Sequence, residues 1–373
     1  MGTLVRAGST ALRVKRRTGG RSGKDRRGGV VHRSTVTVMR RHRLHACGLV
    51  VAALVLAGCG SGSVATGRVT APGAPRLAHW TAFAHADRPL DLVGPRPDAS
   101  LVLAAAGRLM LLSAGGAVTP FAPGYRSPGG EEPYIAWSPG GCFGTGAVYA
   151  IRLHNGRGVV SVAASGGVRR LASLTAPGLI DGIAFDGTGS FGHRLIVTIN
   201  EGARTTVDAI DCHGRVTQIT GSAPRVEGGI AVAPATFGPF AGDLIAPDET
   251  GGRIFAITPG GRSVLVAASG LPHGGDIGVE SEAFVPRGAQ QAAFLADRLT
   301  PGNRHPGDNV VLRLSHAALV AAGVRPGDLL VATEGGALTD DVRCSAAGCQ
   351  LRHVANGPKI AHAEGHIAFA ALG

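Results

Sequence analysis

Apolar strands of three to six residues in groups of four, an acidic residue heading each group, and a repeat of about 40 to 50 residues predict an all-β fold, a β-propeller of four-stranded blades. The clearest group is Glu227 to Gly270, EGGIAVAPATFGPFAGDLIAPDETGGRIFAITPGGRSVLVAASG. It reads as strands Ile230 to Ala233, Asp243 to Ala246, Arg253 to Thr258 and Ser263 to Ala267, parted by Gly, Pro and Asp clusters that break regular structure. Such a sheet is apolar on both faces and cannot bury itself alone. It must stack on copies of itself, and the chain contains them.

From its start, the chain opens on a basic, Gly/Ser/Thr-rich extension, residues 1–38, with no apolar period and nothing that could build a core. This is a disordered extension or a start misassigned upstream of Met39. Residues 39–58 then read as a lipoprotein signal peptide. Met39-Arg-Arg-His-Arg43 precedes the apolar run Ala46 to Ala57, which is shorter than the roughly 20 residues a membrane span takes. The junction Leu56-Ala57-Gly58-Cys59 resembles a bacterial lipobox, which implies that Cys59 carries the lipid. The expected address is the cell membrane, lipid-anchored, on its extracytoplasmic face. Residues 59–78, beginning Gly60-Ser-Gly-Ser63, read as a flexible tether, and residues 79–373 as the propeller.

The formal charge of +12 belongs to the discarded end. Residues 1–58 hold 13 of the 37 Lys and Arg and one of the 25 Asp and Glu, so the remainder carries 24 of each. No nucleic-acid partner is expected of a neutral domain. An envelope location permits disulfides, and Cys344 and Cys349, flanking Ser-Ala-Ala-Gly at a hairpin tip, are expected to pair. Cys142 and Cys212 lie in turns of adjacent repeats and could pair or stay free.

Two strand types recur. The first starts from an acid: Glu132-Pro-Tyr-Ile-Ala-Trp137, Asp181-Gly-Ile-Ala-Phe185, Glu227-Gly-Gly-Ile-Ala-Val232, Glu280-Ser-Glu-Ala-Phe284 and Glu364-Gly-His-Ile-Ala-Phe369. The second comprises Leu101 to Ala105, Ala147 to Ile151, Leu195 to Ile199, Asp243 to Ala246, Ala292 to Ala296 and Leu329 to Ala332. Six of the second type favour six blades; the five of the first leave five blades with an insertion as the alternative. The stretch Leu299 to Ala337 is an irregular blade or an insertion, with a short helix over Ser315 to Ala322. Third and fourth strands meet at Gly115-Gly116, Gly166-Gly167, His213-Gly214 and Gly260-Gly261, where hairpins need positive φ and phosphate loops need not be invoked. The C-terminal strand, from His366, is expected to close the ring by completing the first blade, near Leu101, which shows no strand of the first type.

The run Gly242-Asp-Leu-Ile-Ala246 with Gly252-Arg-Ile-Phe-Ala-Ile-Thr-Pro-Gly-Gly261 resembles blades of the NHL-repeat and gluconolactonase (senescence-marker-type) propeller superfamily, over most of residues 100–373. That resemblance implies a divalent cation at the channel mouth, held through a Glu of a Glu-Gly-Pro motif with Asn and Asp from other blades. Glu132-Pro133 and Glu227-Gly228-Gly229 are similar in part, whereas the family's asparagines find no match in the sequence.

The residues themselves lead to the same mouth. If the first-type strands line the channel, Glu132, Asp181, Glu227, Glu280 and Glu364 converge at one end, and the second-type strands finish there too, at Glu201, Asp248-Glu249, Asp297 and Glu334. Crowded carboxylates call for a cation, and hard oxygen donors point to calcium, with magnesium or manganese behind it. The competing reading is that these acids accept hydrogen bonds from turn amides. His362-Ala-Glu364-Gly-His366 would place both imidazoles and Glu364 on one face of an extended strand, a set suited to a transition metal.

The function expected is that of an envelope-anchored propeller lipoprotein, a monomer, which binds a small molecule or an envelope protein at an acidic channel mouth. A metal-dependent lactonase or hydrolase of small sugar-like substrates is the alternative. A quinone-dependent sugar dehydrogenase is a more distant one.

Overall fold

A computed structural model describes residues 75–127, 132–153, 156–288 and 290–371; the extension, the signal peptide and Cys59 lie outside them. The protein is a six-bladed β-propeller of four-stranded antiparallel sheets, with one outlying parallel strand added to the fifth. The inner strands are Pro89–Val93, Ile135–Pro139, Leu179–Phe185, Ala231–Val232, Val279–Phe284 and Ala363–Ala370, in blades one to six. All six expected second strands are present and pair with an inner strand. Six apolar clusters fill the six gaps between neighbouring blades, so the core is a ring and each blade is stable only between two others.

Closure differs from the sequence expectation in two ways. Blade one has its own inner strand, Pro89–Val93, paired with Leu101–Ala105. It escapes a search for acid-headed apolar runs because it begins with Pro and carries its acid, Asp91, in the middle. The C-terminal strand is the inner strand of blade six, against Ala292–Asp297, and the N-terminal Thr81–His85 supplies that blade's outer strand.

The last two blades are interleaved. After its inner strand, blade five is interrupted while the chain builds Ala292–Asp297 and Val310–Leu314 of blade six. It then resumes with Leu329–Thr333, Thr339–Ser345 and Gly348–Asn356. The passage between the two carries the expected helix, His316–Ala321, whose Ser315 side chain caps the Ala318 amide at 3.1 Å. Ala78–His79 adds to the outer edge of blade five in parallel, and buried Trp80 donates to Thr339 at 2.8 Å. The terminal segments therefore latch two blades.

Both pairs of cysteines are bridged. Cys344–Cys349 closes the tip of a blade-five hairpin, and Cys142–Cys212 ties blade two to blade three. The longer loop, 70 residues in sequence separation, is the more stabilising one in a chain-entropy view.

Candidate functional site: the acidic mouth of the channel

Bulges at the head of the inner strands place the acids. Between Ile180 and Gly182 the ladder slips by one residue, and between Val279 and Ser281 it slips again, which leaves Asp181 and Glu280 without a cross-strand partner. A bulged residue is freed from the pleat and can be aimed elsewhere. Glycine makes the aiming possible. Gly228 and Gly365, each following a mouth acid, have positive φ, and a Cβ on Gly365 would lie 2.4 Å from the Leu90 carbonyl.

One half of the mouth is a dense network. Tyr134, fully buried, donates its hydroxyl to Glu280 and lies 3.5 Å from Glu364. Arg298 bonds Glu132 at 2.7 Å and Glu364 at 3.1 Å. The His362 Nε2 sits 2.9 Å from Glu334 and 3.2 Å from Glu364. One ligand atom from each of Glu334, His362 and Glu364 fits within a sphere of contacts no wider than 4.8 Å, and all three residues are buried. The other half is looser. Glu227 is held by Arg225 at 2.8 Å and accepts from Asn200, while Asp181 accepts from the Thr198 hydroxyl at 3.3 Å. Glu249, its pKa raised by burial and then by Glu227 on one side and Glu334 on the other, couples the two halves.

Electrostatics follow from this crowding. Repulsion from Glu364, with burial, raises Glu132 to about 7, and burial next to Glu227 and Glu334 raises Glu249 to about 9. Burial and the Glu364, Glu334 and Glu132 charges hold Glu280 well above its ordinary range, and burial with Glu227 does the same to Asp181. Burial also raises Glu334. His362 responds in the opposite sense for a base: burial disfavours its charge, but Glu334 and Glu364 outweigh that and raise it to about 10. Protons thus do here what a metal ion would do, neutralising carboxylates that cannot all ionise at close range.

All five acids expected at the mouth reach it, but they are not one ligand set. Of the five, only Glu364 belongs to the compact trio; its partners Glu334 and His362 come from the end of a second strand and from the residue before the last inner strand. Asn200 occupies the position expected of Glu201, which turns outward to Thr206 and Arg204. Asp248 pairs with Arg253 at 2.6 Å, and Asp297 accepts the His362 amide at 2.9 Å. An asparagine does therefore stand in the mouth, at a strand end where side-chain direction is invisible in the sequence.

The expectation that His362 and His366 share a face with Glu364 is corrected. A register shift opposite Phe294 and Ala296, with the positive φ of Gly365, turns His366 the other way. It is buried against Asp91, Nδ1 to Oδ2 3.0 Å. Asp91 also accepts the amides of Ile135, Leu92 and His366 at 2.7 to 2.8 Å, which stitches blades one, two and six below the mouth.

No protein-family model matches the sequence, and no curated protein does. Solved structures of similar fold include a streptogramin B lyase, at 10% identity and TM-score 0.47, covering 78% of this chain and 91% of that one. They include virginiamycin B lyase from Staphylococcus aureus, at 12% and 0.42, covering 73% and 86%. A luciferin-regenerating enzyme aligns at 13% and 0.37 over 61% and 76%. The fold rests on the sheet topology above, and those activities are those proteins' own.

Proposed function

We propose that the protein is an envelope-anchored lipoprotein, lipidated at Cys59, whose acidic mouth holds a divalent cation and through it binds an oxygen-rich ligand. The observation that carries this reading is the buried Glu334–His362–Glu364 trio, whose ligand atoms lie within 4.8 Å of one another. Three donors from the protein leave coordination positions for a ligand. The imidazole moves the expected ion from calcium towards a first-row cation such as zinc or manganese, which nitrogen donors suit. The fit is supported by the proton content of the site: carboxyls with raised pKa and an imidazolium wedged between two of them are what a cation would displace.

The test is the melting temperature of the purified domain with zinc, manganese, calcium and chelator. Binding to the folded state alone adds about 2.7 kcal/mol at a hundredfold excess over Kd. Glu334→Gln is expected to remove the effect. Identical melting in all four solutions would falsify the metal reading. Anchoring is tested apart from it: labelled fatty acid is expected in the wild type and not in Cys59→Ser.

A hydrolase of small lactones is the second reading. It is favoured by Tyr134 and Glu280, hydrogen-bonded to each other beside Glu364, since a carboxyl of raised pKa next to a bound cation is suited to take a proton from water. Failure of the metal-loaded protein to open a panel of γ- and δ-lactones removes this reading and leaves binding intact.

A further inference from the structure

The other end of the channel has a different chemistry. The inner strands run from the acidic mouth to a cavity of about 420 Å³ at their far ends, ringed by one apolar side chain from each blade: Val93, Trp137, Phe185, Val232, Phe284 and Phe369. Behind that ring, four strands place an isoleucine two residues earlier, as in Ile135-Ala-Trp137 and Ile367-Ala-Phe369. Blades one and five break the pattern: blade one has Asp91 there, held by His366 and three backbone amides, and blade five has Glu282. The blade-five strand reads Glu282-Ala-Phe284, so a carboxyl stands where an isoleucine would.

Glu282 lines the cavity, is fully buried, and neither of its carboxyl oxygens meets a hydrogen-bond partner among the described residues. The Ala231 amide lies close enough to favour the charged form slightly, but burial wins and pushes the carboxyl well above its ordinary range. A second acceptor is orphaned beside it: the Gln291 side-chain oxygen, buried and without a partner, also lines the cavity. Among the described residues no Lys or Arg lines it, and the one imidazole there, His366, is committed to Asp91.

A buried carboxyl left unpaired is destabilising unless something donates to it. Replacing it by the isoleucine that four other blades carry would remove that cost, so its presence asks for a partner. Two orphan acceptors call for a donor with more than one N–H, and aromatic faces around them favour positive charge. The volume is that of a small-ligand pocket.

We propose that this opening binds a monocationic ligand with an apolar body, its ammonium on Glu282 and Gln291 and its body within the ring that includes Trp137, Phe185, Phe284 and Phe369. The site is separate from the acidic mouth. Between the two stand the Tyr134 and His366 rings, edge to face at 6.3 Å.

The test titrates the full chain with 1-naphthylmethylammonium and with the neutral 1-naphthylmethanol, by calorimetry and by Trp137 emission. The ammonium is expected to bind about tenfold or more tightly, the difference one charge-assisted hydrogen bond makes. Glu282→Gln is expected to bring the two probes within about threefold while alcohol binding persists. Should that variant fail to fold, Glu282→Ile, the residue four other blades carry, makes the same test. Glu334→Gln at the opposite mouth should leave the preference unchanged. Equal affinity for the two probes, no saturable binding of the ammonium, or a preference that survives loss of Glu282 in a folded variant overturns the proposal.

Discussion

The two ends of the channel are lined by the same six strands, and they differ because of where along each strand the pleat is broken. At the acidic end, bulges at Asp181 and Glu280 and the positive φ at Gly228 and Gly365 lift side chains out of the alternation and gather them. At the apolar end each ring residue stands in register with its second strand, blade two slipping only beyond Trp137, so the position that is a large apolar residue in one blade is one in every blade. Irregular backbone concentrates charge, and regular backbone repeats one surface. Two carboxyls stand behind the apolar ring, Asp91 and Glu282, and Asp91 is partnered whereas Glu282 meets no hydrogen-bond partner among the described residues.

The largest effect that would break this comparison comes from removing the strand that serves both ends. Deleting residues 366–373 takes away His366, Ile367 and Phe369, all buried, and opens the ring between blades one and six. Burial of each large apolar side chain contributes roughly 1.5 to 3 kcal/mol, and two sheet edges are exposed besides. Loss of a cooperative melting transition is expected; an unchanged melting curve would show that blade six does not close the ring.

Asp91→Ala comes next. It strips four donors from blades one, two and six of their acceptor and leaves His366 buried without its counter-charge, a loss of about 3 to 5 kcal/mol. Chemical denaturation of the variant measures it. A loss near zero would mean that the two ends of the channel are not held apart by this residue.

The pH dependence sharpens the contrast further. Glu132 and Glu249 have folded pKa values of about 7 and about 9, above the ordinary carboxyl range, so their contribution is fully present at pH below about 4.5 and is lost as pH rises through those values. His362, raised to about 10, contributes stability that is complete below about 6.5 and fades in the same direction. In chelator the melting temperature is therefore expected to fall from pH 6 to pH 9, and Glu249→Gln to flatten the fall. Saturating zinc should oppose it, because a cation replaces the protons being lost. A melting temperature that rises with pH in chelator contradicts the crowding of the mouth.

The smallest effect is expected of Glu201→Gln. Its carboxyl stands beside the mouth in sequence but bonds Thr206 and Arg204 outside it, so the melting temperature should barely move and the metal response not at all. A lost metal response would redraw the ligand set.

The amino-acid sequence by itself determined the blade. Short strands apolar on both faces, glycine hairpins and a period near 46 to 53 residues are local properties, each set by the apolar run itself and by φ at a turn. Five inner strands, six second strands, the helix after Ser315 and the Cys344–Cys349 tip were legible for that reason. So was the gathering of five acids at one end, since a strand's direction fixes which end its first residue occupies. What only the tertiary structure decided was partnership. An apolar strand fits any blade equally well, so nothing local told that Ala292–Asp297 pairs with the C-terminal strand and that blade five is finished after blade six has begun. The same holds for the side chains. Whether Glu201 or Asn200 enters the mouth, and whether His366 joins His362 or turns to Asp91, depends on slips of one or two residues in the ladders, and a bulge is a compromise between neighbouring strands that no single strand encodes.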